Sequence, residues 1–127
     1  MQNTGTGPQS MRYTIDEVLS GMLSSVSLDY FTDDHQKLGE IFKVVSGNHS
    51  MLAPFAAIAG ETDFSAVLRD ALQKLVDKKL LQHEPGRYFL TPENRAQCMR
   101  SKRTLFNAAD VKQVEAAALD FDKLLKG

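Results

Sequence analysis

The chain has no tryptophan, a single cysteine and only four prolines in 127 residues. One thiol, Cys98, cannot close an internal disulfide, so stability must come from a packed core and not from cross-links. No apolar run approaches the roughly 18 residues that span a bilayer, so no membrane partner is expected. The opening stretch MQNTGTGPQS lacks the basic start and apolar segment of a signal peptide. It reads as a disordered leader over residues 1–12, and with the lone cysteine it suggests a reducing, cytoplasmic setting. A glycine-rich phosphate loop, zinc-ligand spacing and a nucleophile motif are all missing, so neither an enzyme, a cofactor nor a metal is expected.

The histidines do not alter that reading. His35 lies beside Asp33 and Asp34, but adjacent helix positions point apart, and His49 and His83 are isolated. Each reads more simply as an ordinary surface or core histidine than as a ligand. Cys98 has Arg95 and Lys102 at helical neighbour spacings, which would suit a redox-sensing thiolate. A small semi-buried side chain is the simpler reading. Met11, Met22, Met51 and Met99 read as core filler.

What is present is an ordinary globular composition, 43% hydrophobic and 24% charged, enough for one domain over 13–127. The net charge of -1 conceals an asymmetry. Residues 1–63 carry three basic and eight acidic side chains, residues 64–107 nine and four, and residues 108–127 three and four. A basic middle can present a local positive field, and it can equally be spread over solvated faces.

Six helices and a hairpin are expected. Thr14 and Glu17 form a capping-box pair, followed by a stripe of Ile15, Val18, Leu19, Met22, Leu23 and Val26, which gives a terminal helix over 14–28. Gly21 lies off that stripe and weakens the helix. Thr32 or Asp33 caps a second helix with the stripe Leu38, Ile41, Phe42 and Val45, and Gly47 is its natural stop. Asn48 or Ser50 caps a short third helix containing Pro54, Phe55, Ala56, Ala57 and Ile58. After Gly60, Thr62 or Asp63 caps the clearest helix, 63–80, whose wide stripe is Phe64, Val67, Leu68, Ala71, Leu72, Leu75, Val76 and Leu80. The period then changes, and residues 81–91 read as two short strands around the turn Glu84-Pro85-Gly86. Thr91-Pro92-Glu93 starts a helix to about Lys102, and Asn107 caps the last, 108–125.

The fold class is therefore mainly α with a small β-hairpin. The order helix, short helix, tight turn Gly60-Glu61-Thr62-Asp63, long helix, hairpin is that of a helix-turn-helix followed by a wing. The string ALQKLVDKKLLQHEPGRYFLTPENRA resembles the recognition-helix end, wing and following helix of PadR-type and MarR-type regulators, with Leu72, Leu75, Leu80, Leu81, Tyr88, Leu90 and Thr91 in the characteristic places. The resemblance covers a core of about 32–103 and implies a winged helix-turn-helix with extra N-terminal and C-terminal helices.

It also implies a transcriptional regulator that binds duplex DNA. Ser65, Arg69 and Gln73 would face base edges, and Lys74, Lys78, Arg87 and Lys43 would contact phosphates. Asp63, Asp70 and Glu84 lie on the same surface and favour an alternative, a winged-helix protein–protein adaptor that does not bind DNA. The basic run Arg95, Arg100, Lys102 and Arg103 has two readings, flanking phosphates or the acidic N-terminal half of the same or a second chain. Val111, Val114, Ala118, Phe121 and Leu125 form a heptad-like seam that suits another helix, either the first of this chain or its equivalents in a second copy. The resemblance implies the latter, a homodimer matched to two-fold operators.

Overall fold

The computed structural model describes residues 13–55, 57 and 64–126. The expected leader over 1–12, the turn Gly60-Glu61-Thr62-Asp63 with its caps, and Ala56 and Ile58 of the short helix lie outside the described residues.

Helix α1 spans Ile15–Leu23 and opens with the expected capping box. Thr14 N donates to Glu17 Oε1 at 2.9 Å, and Glu17 N donates to Thr14 Oγ1 at 3.4 Å. The helix is shorter than the 14–28 expected. Ser24 ends it, its hydroxyl donating to the Gly21 carbonyl at 2.6 Å, and Val26 is buried from the loop that follows. Serine hydroxyls compete for backbone carbonyls in this way and favour helix ends over interiors.

The loop leads into a strand that the sequence pattern did not reveal, β1 at Tyr30–Thr32. With β2 (Gln82–Glu84) and β3 (Arg87–Phe89) it forms a three-stranded antiparallel sheet in the order β1-β3-β2. Phe31 pairs with Tyr88, and Tyr88 with His83 on its other side. The expected hairpin is thus present, narrowed to three residues per strand around Pro85-Gly86, where Gly86 takes a φ of 95° that glycine alone adopts freely.

Helix α2 spans His35–Asn48. Its cap is Asp34, whose carboxylate accepts from Lys37 N at 3.2 Å, and not Thr32 or Asp33. Thr32 Oγ1 accepts from Asp34 N, and Asp33 is drawn away to the hairpin. Gly47 does not stop the helix, which runs on to Asn48. His49 then turns extended, with its imidazole 2.7 Å from Asp120 Oδ2. A 3₁₀ turn at Ser50–Leu52 follows, with no side-chain cap, and residues 53–55 are helical.

Helix α3, Phe64–Asp77, buries Phe64, Leu68, Ala71, Leu72 and Leu75, with Val67, Val76 and Leu80 half-buried beside them. Leu80 N reaches back to the Leu75 carbonyl at 2.9 Å, with Lys79 left-handed at φ 63°, the geometry of a Schellman stop. Helix α4, Pro92–Leu105, starts on the Thr91 cap and runs a turn past the expected Lys102. Helix α5, Ala108–Lys126, is capped by Asn107, whose Oδ1 accepts from Asp110 N at 2.8 Å.

Helices α1 to α5 feed one core. The Phe42 ring lies 5.6 Å from Phe64, 6.1 Å from Phe55 and 6.3 Å from Phe121, centroid to centroid. The α5 seam takes the first of its two possible partners. Val114, Ala118 and Phe121 are fully buried inside the chain, and Val111 and Leu125 rest half-buried on the same core. Gly21, expected off the buried stripe, is instead buried where α1 closely meets Val114 of α5 and Phe106. A Cβ there would lie 3.0 Å from Val114 Cγ1 and 3.1 Å from Phe106 Cε2.

Gly21→Val is therefore expected to lose stability by overpacking, about 1–3 kcal/mol, despite valine's better helix propensity. A urea titration would show a lower midpoint at unchanged slope. A midpoint at or above that of the parent chain would contradict the close approach.

Candidate nucleic-acid interface

The buried stripe of α3 leaves the opposite face to solvent, and the exposed side chains there are Arg69, Asp70, Gln73, Lys74 and Asp77. Residues three and four apart are neighbours on a helix surface, so this face is a mosaic of both signs. Arg69 Nε lies 3.8 Å from Asp70 Oδ1, with both side chains largely exposed. Gln73 Nε2 donates to Asp77 Oδ1 at 3.0 Å. Lys74 is exposed and has no acidic partner among the described residues. Such exposed pairs contribute only tenths of a kcal/mol, so they are readily exchanged for a stronger anion.

The other expected contacts are placed differently. Ser65 is half-buried in the first turn of α3, where its backbone comes close to α2. A Cβ on Gly39 would lie 3.4 Å from its Cα, which measures how closely the two helices meet there. Lys78 lies just past the helix end, with Nζ 3.2 Å from Asp16 Oδ2 on α1. Arg87 on β3 donates from Nε to Glu84 Oε1, and its guanidinium sits 4.9 Å over the Tyr30 ring. The hairpin tip therefore carries a neutralised pair whose arginine lies on an aromatic ring. Lys43 is exposed on α2.

The basic run of α4 divides. Arg95 donates to the carbonyls of Leu23, Val26 and Leu28 and to Asp29 Oδ1 at 3.2 Å. Lys102 is 3% exposed, with Nζ 2.9 Å from Glu115 Oε2 and 3.1 Å from Ser25 Oγ. Both are structural cations of this chain, while Arg100 and Arg103 remain exposed. Cys98 is fully buried, its thiol donating to the Leu80 carbonyl, and burial pushes its pKa up to about 11 despite Arg95 nearby. That is the opposite of a reactive thiolate.

A second polar cluster escaped the sequence reading. His83 Nε2 lies 2.9 Å from Asp33 Oδ2, and the same oxygen accepts from Gly86 N at 3.1 Å. The His83 ring stacks on Tyr88 at 4.4 Å, and the Tyr88 hydroxyl lies 2.6 Å from His35 Nε2. The hydrogen bond from His83 holds the Asp33 carboxyl below its ordinary range, burial pushes Tyr88 up to about 12, and burial lowers His35. The β1–β3 and β2–β3 registers together bring these residues into one cluster, so the signal lay in strand pairing and in no local motif. Among the described residues no group of three or more His, Cys, Asp or Glu is placed to hold a metal ion, and no helix is long and apolar enough to cross a membrane.

No protein-family model, no curated protein and no solved structure matches this chain.

Lys78 supports α1 as well as facing solvent. Burial alone would push the Asp16 carboxyl up, but the Thr14 hydroxyl and the Lys78 ammonium outweigh it and leave it lowered. The stability this carboxylate contributes is present above its unfolded value of 3.8 and is lost as pH falls toward its folded one. Lys78→Ala is expected to cost about 1 kcal/mol, modest because the lysine is half-exposed, and to flatten the acid side of the stability–pH curve. Lys74→Ala should stay within about 0.5 kcal/mol of the parent chain. Urea midpoints for the two variants across acid and neutral pH would check the contrast, and equal midpoints would contradict it.

Proposed function

We propose that this chain is a cytoplasmic transcriptional regulator with a winged helix-turn-helix core. In this reading it sets α3 into the major groove of duplex DNA and lays the β2–β3 hairpin along the neighbouring backbone. One observation carries the reading, namely that α3 buries one face completely while its other face presents Arg69, Gln73 and Lys74 together. Arginine matches the guanine edge in two hydrogen bonds, glutamine matches adenine, and lysine suits a phosphate. The order α1-β1-α2-α3-β2-β3, with β3 central in the sheet, supports it by placing the hairpin next in the chain after the helix end. Two-fold operators make a homodimer part of the proposal. With the α5 seam buried in its own chain, a second copy would meet side chains left outside, such as Leu119, which is 65% exposed.

A second reading, a protein–protein adaptor on the same scaffold, is favoured by the acids that already match the candidate contacts. Asp70, Asp77, Asp16 and Glu84 partner Arg69, Gln73, Lys78 and Arg87 within the chain. Such a charge-balanced face suits a polar protein surface better than a uniform polyanion.

Fluorescence anisotropy with labelled duplexes separates the two. The DNA reading expects binding at about 50 mM salt that falls steeply toward about 200 mM. Arg69→Ala should cost about 1–3 kcal/mol against the preferred sequence, and Lys74→Ala should weaken all duplexes alike and lower the salt slope by about one. No binding to any duplex at low salt would overturn it and leave the adaptor reading.

A further inference from the structure

We propose that Asp33, His35, His83 and Tyr88 form a proton-operated clasp that seats the β2–β3 hairpin against the start of α2 and loosens it on acidification. The inference stands apart from the DNA reading and concerns how the fold itself responds to pH.

The clasp has a fixed half and a titrating half. In the fixed half, one carboxylate oxygen of Asp33 takes His83 Nε2 at 2.9 Å and Gly86 N at 3.1 Å, tying both β2 and the hairpin turn to the end of β1. The Asp33 amide returns the contact to the Gly86 carbonyl at 3.4 Å. His83 points an Nε2–H donor at the carboxylate, so this half is held by donors from both the β2 side chain and the turn backbone.

The titrating half is the 2.6 Å contact between Tyr88 and His35. Tyr88 is 3% exposed, and its hydroxyl lies 2.6 Å from His35 Nε2, which accepts the phenol hydrogen when the imidazole carries its proton on Nδ1. A second proton converts that nitrogen from acceptor to donor, so the phenol oxygen must accept from it and the phenol hydrogen loses its partner. A buried donor without a partner destabilises the seated arrangement.

The surroundings oppose charging as well. His35 is the first residue of α2, where a positive charge meets the positive end of the helix dipole. Burial, Arg69 on α3 and His83 on β2 all push its pKa down, while Asp33 and Asp34 push it up, and the balance is a lowered value. The sign follows from linkage. A released or unfolded His35 takes its proton near 6.5, the seated one only at lower pH. Seating is therefore complete above that value and weakens as pH falls below it.

Amide hydrogen exchange followed by NMR tests this on the full chain. Corrected for intrinsic rates, protection of the Gly86, Tyr88 and Phe89 amides should fall severalfold from about pH 7.5 to about pH 5.5. Protection in the core of α3, at Leu72, should not change. His35→Gln keeps an acceptor for the phenol but cannot titrate, and Tyr88→Phe removes the donor. Each should leave the hairpin amides equally protected at both pH values. Equal protection at both pH values in the unsubstituted protein overturns the clasp, and so does parental pH dependence in either variant that retains its helical circular dichroism.

Discussion

The guanidinium of Arg95 is the contact from which much of the rest follows. It gathers the carbonyls of Leu23, Val26 and Leu28, the groups that the end of α1 and its loop would otherwise leave without partners in a half-buried site. Hydrogen bonds to a charged group are worth roughly twice neutral ones, and a lost buried partner costs about 1–3 kcal/mol. With α1 stopped at Leu23, the chain is aimed into β1 at Tyr30. The Asp29 carbonyl then accepts from Leu90 N at 2.7 Å, extending the β1–β3 pairing by one bond. That register sets Phe31 opposite Tyr88, brings Asp33 to the hairpin turn, and leaves Asp34 as the residue free to cap α2. A side chain on α4 thus ties the end of α1 to the loop that enters the sheet.

The same logic explains where the basic middle of the chain goes. Nine cations between residues 64 and 107 suggest a positive surface, but Arg95 and Lys102 are turned inward onto carbonyls, Ser25 and Glu115. Lys78 and Arg87 lie at the surface on Asp16 and Glu84. Arg69 stands 3.8 Å from Asp70, and the uncommitted remainder, Lys74, Lys79, Arg100 and Arg103, is shared between α3, the turn after it and α4. A charge count along the sequence overstates the outward field because a small core without disulfides uses cations to satisfy buried carbonyls and carboxylates. Any polyanion met by α3 must exchange weak pairs with Asp70 and Asp77, which lowers affinity but leaves discrimination between partners intact.

Local signals were legible and non-local ones were not. The capping box of Thr14 and Glu17, the Thr91-Pro92 helix start, the Asn107 cap and the stripe of α3 are set by residues within four positions of one another, and the structure has each of them. Strand β1 is three residues long and exists because Phe31 meets Tyr88, 57 positions away in the sequence, so no window could reveal it. Gly47 looked like a stop because glycine permits one. The real end at His49 is fixed by Asp120 on another helix. The spacing of Val111, Val114, Ala118, Phe121 and Leu125 is the same whether the partner helix is in this chain or another, and only packing decides. In the candidate interface the face of Arg69, Gln73 and Lys74 followed from helical period. The close approach of the Ser65 backbone to Gly39 on α2 and the pairing of Lys78 with Asp16 depend on helices that period says nothing about.

Arg69 joins the two polar regions of the molecule. It stands on the exposed face of α3, and its charge is also one of the influences that keep His35 neutral. An anion drawn to Arg69 would offset that opposition and make the proton on His35 less costly. Linkage then requires the reverse, that a proton on His35 favours an anion at Arg69, by the same free energy. The size of the coupling is limited by screening, because Arg69 is largely exposed while His35 is half-buried. Its sign follows from the like charges of the two groups. Acidification would loosen the hairpin and at the same time strengthen the pull of α3 on an anion, so the hairpin and α3 would respond to one proton in opposite senses.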